Sequence, residues 1–234
     1  MKRHMSERAS LSLLLSVLAL ALVLGGSVAR ADDLNLGSNY VPVSVDENGV
    51  GATNVGGGPI TVSYLNGTQL AWVYCIGFYT DVPVPDDYAD TTVRSDGVVN
   101  GVAVENAGEI AWLLDDFAGA AAGNSTAEQA LQATIWSVEY NGQGTSAGYN
   151  TITGDSSQGY SATYESDLAA LGSNTAALNT VDWFTPSNGS ATEYQGLVGP
   201  NIGSVPEPMS ILLLGTVLLC VPKLRQKFGA GRQR

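Results

Sequence analysis

The sequence predicts an α+β domain over residues 32–199: an antiparallel β-sandwich or barrel-like core with an inserted helical subdomain. Three observations carry the prediction. Turn signals at Asn48-Gly49, Gly56-Gly57-Gly58 and Asn66-Gly67 punctuate a Val-, Thr- and Tyr-rich first third. Two capped segments of helical period follow, and strand character then returns at Val181-Asp182-Trp183-Phe184. Strands, helices and strands in that order point to segregated rather than alternating layers, and the length suits one domain with a real core.

The first third reads as strands at 41–45, 60–65 and 70–80, the last two joined as a hairpin across Asn66-Gly67, a favoured two-residue turn. In 70–80 the two-residue period sends Trp72, Tyr74, Ile76 and Phe78 to one face and Ala71, Val73, Cys75 and Gly77 to the other. The first helix starts at Asn106-Ala107-Gly108-Glu109, a cap followed by an acid at the third helical position, with Ile110, Leu113, Leu114 and Phe117 at helical spacing. Ser125-Thr126-Ala127-Glu128 repeats the arrangement for a second helix, whose stripe is Ala127, Leu131, Ile135 and Val138 and whose stop is Asn141-Gly142. A third helix spans Ser161–Leu171, with Tyr164, Leu168 and Leu171 on one side. Residues 181–184 and 193–198 are the closing strands, and 200–204 form a linker.

The ends of the chain speak of export. Lys2, Arg3 and Arg8, an apolar run over 11–24 and the small-x-small Ala29-Arg30-Ala31 make residues 1–31 a signal peptide cleaved after Ala31. At the other end, Val205-Pro206-Glu207-Pro208 precedes an apolar stretch over 209–222 and then Lys223, Arg225, Lys227, Arg232 and Arg234. The prolines end the preceding structure, the apolar run partitions into lipid as a short transmembrane helix, and the cations stay cytoplasmic. This order over 205–234 resembles the PEP-CTERM sorting signal of Gram-negative bacteria. The resemblance implies export across the inner membrane, transient anchoring there, and an exosortase-type sorting enzyme that cuts near the Pro-Glu-Pro. The destination it implies is the cell surface or the extracellular matrix of a biofilm. Cys220 lies in the segment that sorting discards.

Composition removes whole classes of chemistry. Four of the ten Lys and Arg lie in the signal and five in the tail, so the domain keeps only Arg94. Against it stand 20 carboxylates (22 less Glu7 and Glu207), a surface that repels nucleic acid. The one histidine, His4, leaves with the signal, so histidine-dependent triads and histidine-ligated metals are excluded. With Cys75 alone in the domain there is no internal disulfide. The adjacent acids Asp86-Asp87 and Asp115-Asp116 offer at most a glycosidase pair without a supporting motif, and no calcium-loop pattern occurs. No metal, no cofactor and no enzymatic activity is expected.

Cys75 is the exception that composition leaves. By itself a lone cysteine in an apolar strand is a small hydrophobe, and Gln132 and Gln129 lie on nearly the same helix face. Three blocks together say more. Tyr74-Cys75-Ile76, the helix 109–117, and Gln132-Ala133-Thr134-Ile135-Trp136, with Thr134 in place of an alanine, resemble the thioester domains of bacterial surface adhesins. The resemblance implies a Cys75–Gln132 crosslink, with Tyr74, Trp136, Asp115 and Gln129 as its surroundings and Trp136 as a lid against water. The thiol attacks the carboxamide, ammonia leaves, and the stored thioester acylates an amine on a surface or matrix partner. The absence of lysine from the domain is compatible with such a bond. The competing expectation is a structural matrix protein whose cysteine is inert.

Overall fold

The computed structural model describes residues 31–49, 52–141 and 151–202. The signal region with Ala29, the motif Val205-Pro206-Glu207-Pro208 and the expected transmembrane helix lie outside the described residues. Ala31, the last residue of the expected signal, is exposed at the start of the domain.

The architecture is α+β and mainly antiparallel. One sheet has the order β5-β4-β1-β7-β11-β12-β6, built from β1 (Asp32–Leu36), β4 (Ser63–Leu65), β5 (Thr68–Leu70), β6 (Tyr74–Ile76), β7 (Asp86–Arg94), β11 (Val181–Thr185) and β12 (Gly196–Pro200). A second has the order β10-β2-β3, from β2 (Asn39–Glu47), β3 (Ala52–Thr61) and β10 (Ile152–Gly154). A small ribbon pairs β8 (Val98–Val99) with β9 (Val102–Ala103). The helices α1 (Ala107–Leu113), α2 (Ser125–Asn141) and α3 (Ser161–Leu171) fall between β9 and β11 in the chain.

Two apolar clusters form, and β6, β11 and β12 separate them. Val73, Cys75, Phe184 and Leu197 face the first cluster, with Leu34, Leu36, Val43, Val45 and Ile60. Tyr74, Ile76, Trp183 and Val198 face the second, with Ile110, Leu113 and Leu114. A strand buried on both faces reads as a continuous apolar run, as Val73 to Ile76 does. Helix α2 serves both clusters. Ala130, Ala133, Trp136 and Tyr140 enter the first, and Leu131, Ile135 and Val138 the second, so the helix is buried all round from Ala130 to Tyr140. The expected stripe is therefore one of its two apolar faces.

Several local expectations change in the structure. Asn66-Gly67 does turn a hairpin, with φ of 52° and 77°, but it joins β4 to β5 and not two long strands. The stretch 70–80 is not one strand. Leu70 ends β5, Tyr74–Ile76 is the separate strand β6, and Gly77 at φ 84° reverses the alternation, so Phe78 joins the Cys75 side. Gly56-Gly57-Gly58 is no turn but the interior of β3, paired to Val41 and Pro42.

The first cap keeps its position without its side-chain bond, and the second is displaced by one residue. Asn106 stands at the start of α1 at φ 54°, and its side chain donates to the Val138 carbonyl instead of capping. For α2 the cap is Asn124, which accepts from Ala127 N, while Glu128 reaches back to Gly123 N at 2.8 Å. Helix α1 runs into a π-turn, Leu114–Ala118, that leaves Asp115 and Asp116 exposed. Residues 200–202 are not a free linker. Pro200 closes β12, Ile202 N donates to Asp182, and the Ile202 side chain packs on the first cluster. Among the described residues no helix is long and apolar enough to cross a membrane.

Candidate functional site

Helix α2 carries polar side chains through the core, and each one is tied to a neighbour. Thr134 bonds to the Ala130 carbonyl one turn back. Ser137 donates to the Ile152 carbonyl and shares a hydrogen bond with the Tyr164 hydroxyl. Gln132 and Glu139, two turns apart on the helix, both meet the β6 segment that holds Cys75.

Gln132 is fully buried, and its carboxamide is held at three points. Gln132 Oε1 accepts from Gly58 N at 2.8 Å and from Cys75 N at 2.9 Å; Gln132 Nε2 donates to the Cys75 carbonyl at 3.0 Å. The side chain thus pairs with Cys75 as a neighbouring strand would, and it bridges β6 to β3. The sequence resemblance coupled Cys75 with Gln132, and the fold places them in direct hydrogen bond. Gln129 goes elsewhere: its Nε2 donates to the Pro42 carbonyl at 2.7 Å.

The three glycines of β3 make this approach possible. A Cβ on Gly57 would stand 2.7 Å from Gln132 Cγ and 2.9 Å from Val43 Cγ2. One on Gly58 would stand 2.7 Å from both Tyr74 Cα and the Val73 carbonyl oxygen. Glycine inside a strand marks a place where another backbone or side chain comes close, and here both do.

Trp136 lies one turn beyond Gln132 in the same cluster. Its ring edge is 3.3 Å from the Gly57 Cβ position, and it meets Phe78 in a T-shaped contact with centroids 5.2 Å apart. Tyr74 lies beside Gly58 with its Cα and with ring Cδ1, 2.7 and 2.8 Å from the Gly58 Cβ position, and the ring then runs into the second cluster against Trp72. Its hydroxyl is buried without a hydrogen bond, and burial first, then the charges of Glu128 and Asp167, push its pKa up. Removing an orphaned hydroxyl relieves a desolvation cost, so Tyr74→Phe is expected to leave the fold intact and stabilise it by about 1 kcal/mol in urea melts. Asp115, also expected nearby, is exposed in the π-turn and bonds to neither Cys75 nor Gln132.

Glu139 is the residue that the sequence reading missed. It is 7% exposed, and both carboxylate oxygens accept from Gly77 N, at 3.1 and 3.0 Å. Gln195 Nε2 donates to the Gly77 carbonyl at 2.9 Å, and Phe78 N donates to the Tyr140 hydroxyl. The chain just after Cys75 is thereby clamped to α2 and to the segment before β12. The available signal was an acid in a helix stretch, residues 130–140, that apart from Gln132 is otherwise apolar, aromatic or small on every side.

Burial governs the titration of this region. It pushes the Cys75 thiol up to about 12, with the Glu139 charge adding to the effect. It also pushes Glu139 up to about 7, against the restraint of the Gly77 N–H. The folded protein then keeps the Glu139 proton up to about pH 7, whereas the unfolded chain releases it near 4.5. Stability from this group is present at low pH and is lost as pH rises through that window, on the order of 3 kcal/mol at ~1.4 kcal/mol per pH unit.

Asp167, pushed up to about 6 by burial, acts in the same direction. Asp155 acts in the opposite one. Hydrogen bonds from Ser157, then Ser44 and Gln158, hold its carboxyl well below its ordinary 3.8, so its contribution is lost as pH falls below that value. Urea midpoints measured across pH are expected to peak near pH 4–5 and fall toward pH 8, with Glu139→Gln flattening the alkaline fall. A midpoint unchanged from pH 4.5 to 8 in the wild type would contradict the placement of Glu139.

A cavity of about 210 Å³ opens beside this cluster, with Ile76, Gly77, Glu139 and Tyr140 on its wall and Glu105 and Glu193 also lining it. The acids considered for glycosidase chemistry are not in it. Asp115 and Asp116 are exposed in the π-turn, and Asp86 and Asp87 are exposed on β7. No family model, no curated protein and no solved structure matches the chain.

Proposed function

We propose that Cys75 and Gln132 form an internal thioester and that the domain uses it once, to attach itself covalently to an amine on a surface or matrix partner. The observation that carries this reading is the pair of N–H groups on Gln132 Oε1, from Gly58 at 2.8 Å and from Cys75 at 2.9 Å. A carboxamide is a poor electrophile. When sulfur adds to its carbon, negative charge develops on that oxygen, and two preorganised donors at such distances stabilise it. Burial excludes water, and the hydrogen bonds from the Cys75 backbone hold the Gln132 carboxamide beside that residue, which supports the proximity that an uncatalysed exchange lacks.

In the forming step the Cys75 S–C bond is made and the Gln132 C–N bond breaks. The thiol proton ends on the departing nitrogen, which leaves as ammonia. In the attachment step an amine nitrogen bonds to the same carbon, and Cys75 leaves as a thiol. No cofactor enters either step, and each molecule reacts once, so the domain is a binding module rather than an enzyme.

In this reading the antiparallel sheets are a sandwich- or barrel-like frame, the inserted helices bring Gln132 to it, and Trp136 shields the bond. The ends of the chain supply the route: signal-directed export, an inner-membrane stage, and sorting by an exosortase-type enzyme to the surface or biofilm matrix of a Gram-negative bacterium.

The second reading is an inert structural matrix protein, and the same hydrogen bonds favour it in another sense. They leave the Gln132 carboxamide paired as a bridge between β6 and β3. Methylamine separates the two. Coupling to Gln132 with simultaneous appearance of an alkylatable Cys75, both located by peptide mapping, is the expected result; unmodified Gln132 with Cys75 alkylatable in denaturant before any amine is added supports the inert bridge.

A further inference from the structure

The strand that carries Cys75 ends its sheet. Strand β6 pairs along one edge with β12, Cys75 opposite Leu197, and among the described residues no further strand of that sheet lies beyond it. The backbone groups of a buried edge must find partners elsewhere. Here Ile60 N donates to the Val73 carbonyl at 2.7 Å, and helix α2 supplies the rest. Gln132 accepts from Cys75 N and donates to the Cys75 carbonyl, while Glu139 accepts from Gly77 N on both carboxylate oxygens, at 3.1 and 3.0 Å. Two turns apart on one face of α2, the two side chains are successive rungs of a ladder in which a helix does what a neighbouring strand would do.

The reaction treats the two rungs differently. Thioester formation makes the bond from Cys75 Sγ to Gln132 Cδ and breaks the Gln132 Cδ–Nε2 bond, the thiol proton leaving with the ammonia. The Cys75 carbonyl then has no donor from that side chain, so the Gln132 rung is weakened by the step it supports. Glu139 is not consumed. It is 7% exposed, so water competes little for Gly77 N, and Gln195 Nε2 holds the Gly77 carbonyl at 2.9 Å.

Resting on the thioester reading above, we propose that Glu139 is a positioning residue for the crosslink: through Gly77 it holds the Cys75 backbone in register with Gln132 while ammonia leaves. It touches neither reacting atom. The role requires an acceptor at the reach of a glutamate side chain and does not require its charge. Glutamine keeps that reach. Aspartate keeps the charge and is one carbon short, so it either leaves Gly77 N without an acceptor or draws the chain after Cys75 out of place. A displacement of ~1 Å costs a reacting pair on the order of 100-fold in rate, which makes so small a change in length visible.

The test times the reaction in the full-length chain. Each variant is made by cell-free synthesis, loss of ammonia is followed by intact mass, and exchange of the Gly77 amide is followed by NMR. Glu139→Asp is expected to slow the loss about ten-fold or more and to open the Gly77 amide to exchange, whereas Glu139→Gln stays within about three-fold of the wild type with that amide protected. Val181→Ala, a truncation at a buried position of the second cluster, controls for lost stability and is expected to react at the wild-type rate.

A wild-type rate in Glu139→Asp, a Glu139→Gln as slow as Glu139→Asp, or an equal slowing in Val181→Ala would each overturn the proposal. No loss of ammonia from the wild type, with Gly77 protected there and in Glu139→Gln but exchanging in Glu139→Asp, would uphold the hold on Gly77 and overturn the thioester reading instead.

Discussion

Gln132→Ala is expected to be the most destabilising single substitution in the domain, by about 3–5 kcal/mol. Gly58 N and Cys75 N lose their acceptor at once, and in protein that has not yet lost ammonia the Cys75 carbonyl loses its donor as well. Each is left in a place from which water is excluded, at a cost of ~1–3 kcal/mol per buried group, partly relieved by local adjustment. The truncation also opens space against Gly57, where no side chain exists to collapse into it. Chemical denaturation checks this directly. Gln129→Ala is the control, because that side chain holds only the Pro42 carbonyl near the surface, and a loss of at most ~1 kcal/mol is expected there.

Gly58→Ala is expected to cost about 2–4 kcal/mol and to abolish the crosslink even where the protein still folds. The added carbon would meet backbone, Tyr74 Cα and the Val73 carbonyl oxygen, each at 2.7 Å, and backbone cannot swing aside as a flexible side chain can. Relief requires β3 and β6 to separate. That displaces Gly58 N from Gln132 Oε1 and weakens the Ile60 N bond to the Val73 carbonyl, now 2.7 Å. Gly67→Ala makes a useful contrast. It sits in a hairpin turn at φ 77° with nothing within 4 Å of its Cβ position, so its cost is conformational only, ~1 kcal/mol, and leaves the crosslink untouched.

These two predictions bear on how much the amino-acid sequence discloses. The helices were legible because capping residues and apolar spacing are local signals, and α3 runs over the expected Ser161–Leu171. Gly56-Gly57-Gly58 was misread for a physical reason. A glycine run is ordinarily a turn signal, and only the distant Gln132 and Tyr74 reveal that it is a strand thinned to let them approach. Strand β7 was invisible for another. Its inward residues Tyr88 and Thr91 are three apart, because the pairing with β1 slips between Asp32 and Leu34, so no two-residue period exists to be seen.

What was legible of the candidate site is the meeting of Cys75 and Gln132, which short motifs mark and which hydrogen bonds now join. Asp115 is exposed because the helix that carries it winds into a π-turn there. Tyr74 lays one ring edge against Gly58 and sends the rest of the ring into the second cluster, because consecutive residues of β6 face different cores. Glu139 depends on the positive φ of Gly77, which turns a backbone N–H toward the helix. None of these three consequences of packing follows from spacing along the chain.

The most direct measurement is the intact mass of the protein after signal removal, compared with the mass of its own sequence. A deficit of one ammonia is expected in the wild type, abolished by Cys75→Ala and by Gln132→Ala. A wild-type mass equal to that of the sequence, with Cys75 fully alkylated once the protein is unfolded, would contradict it.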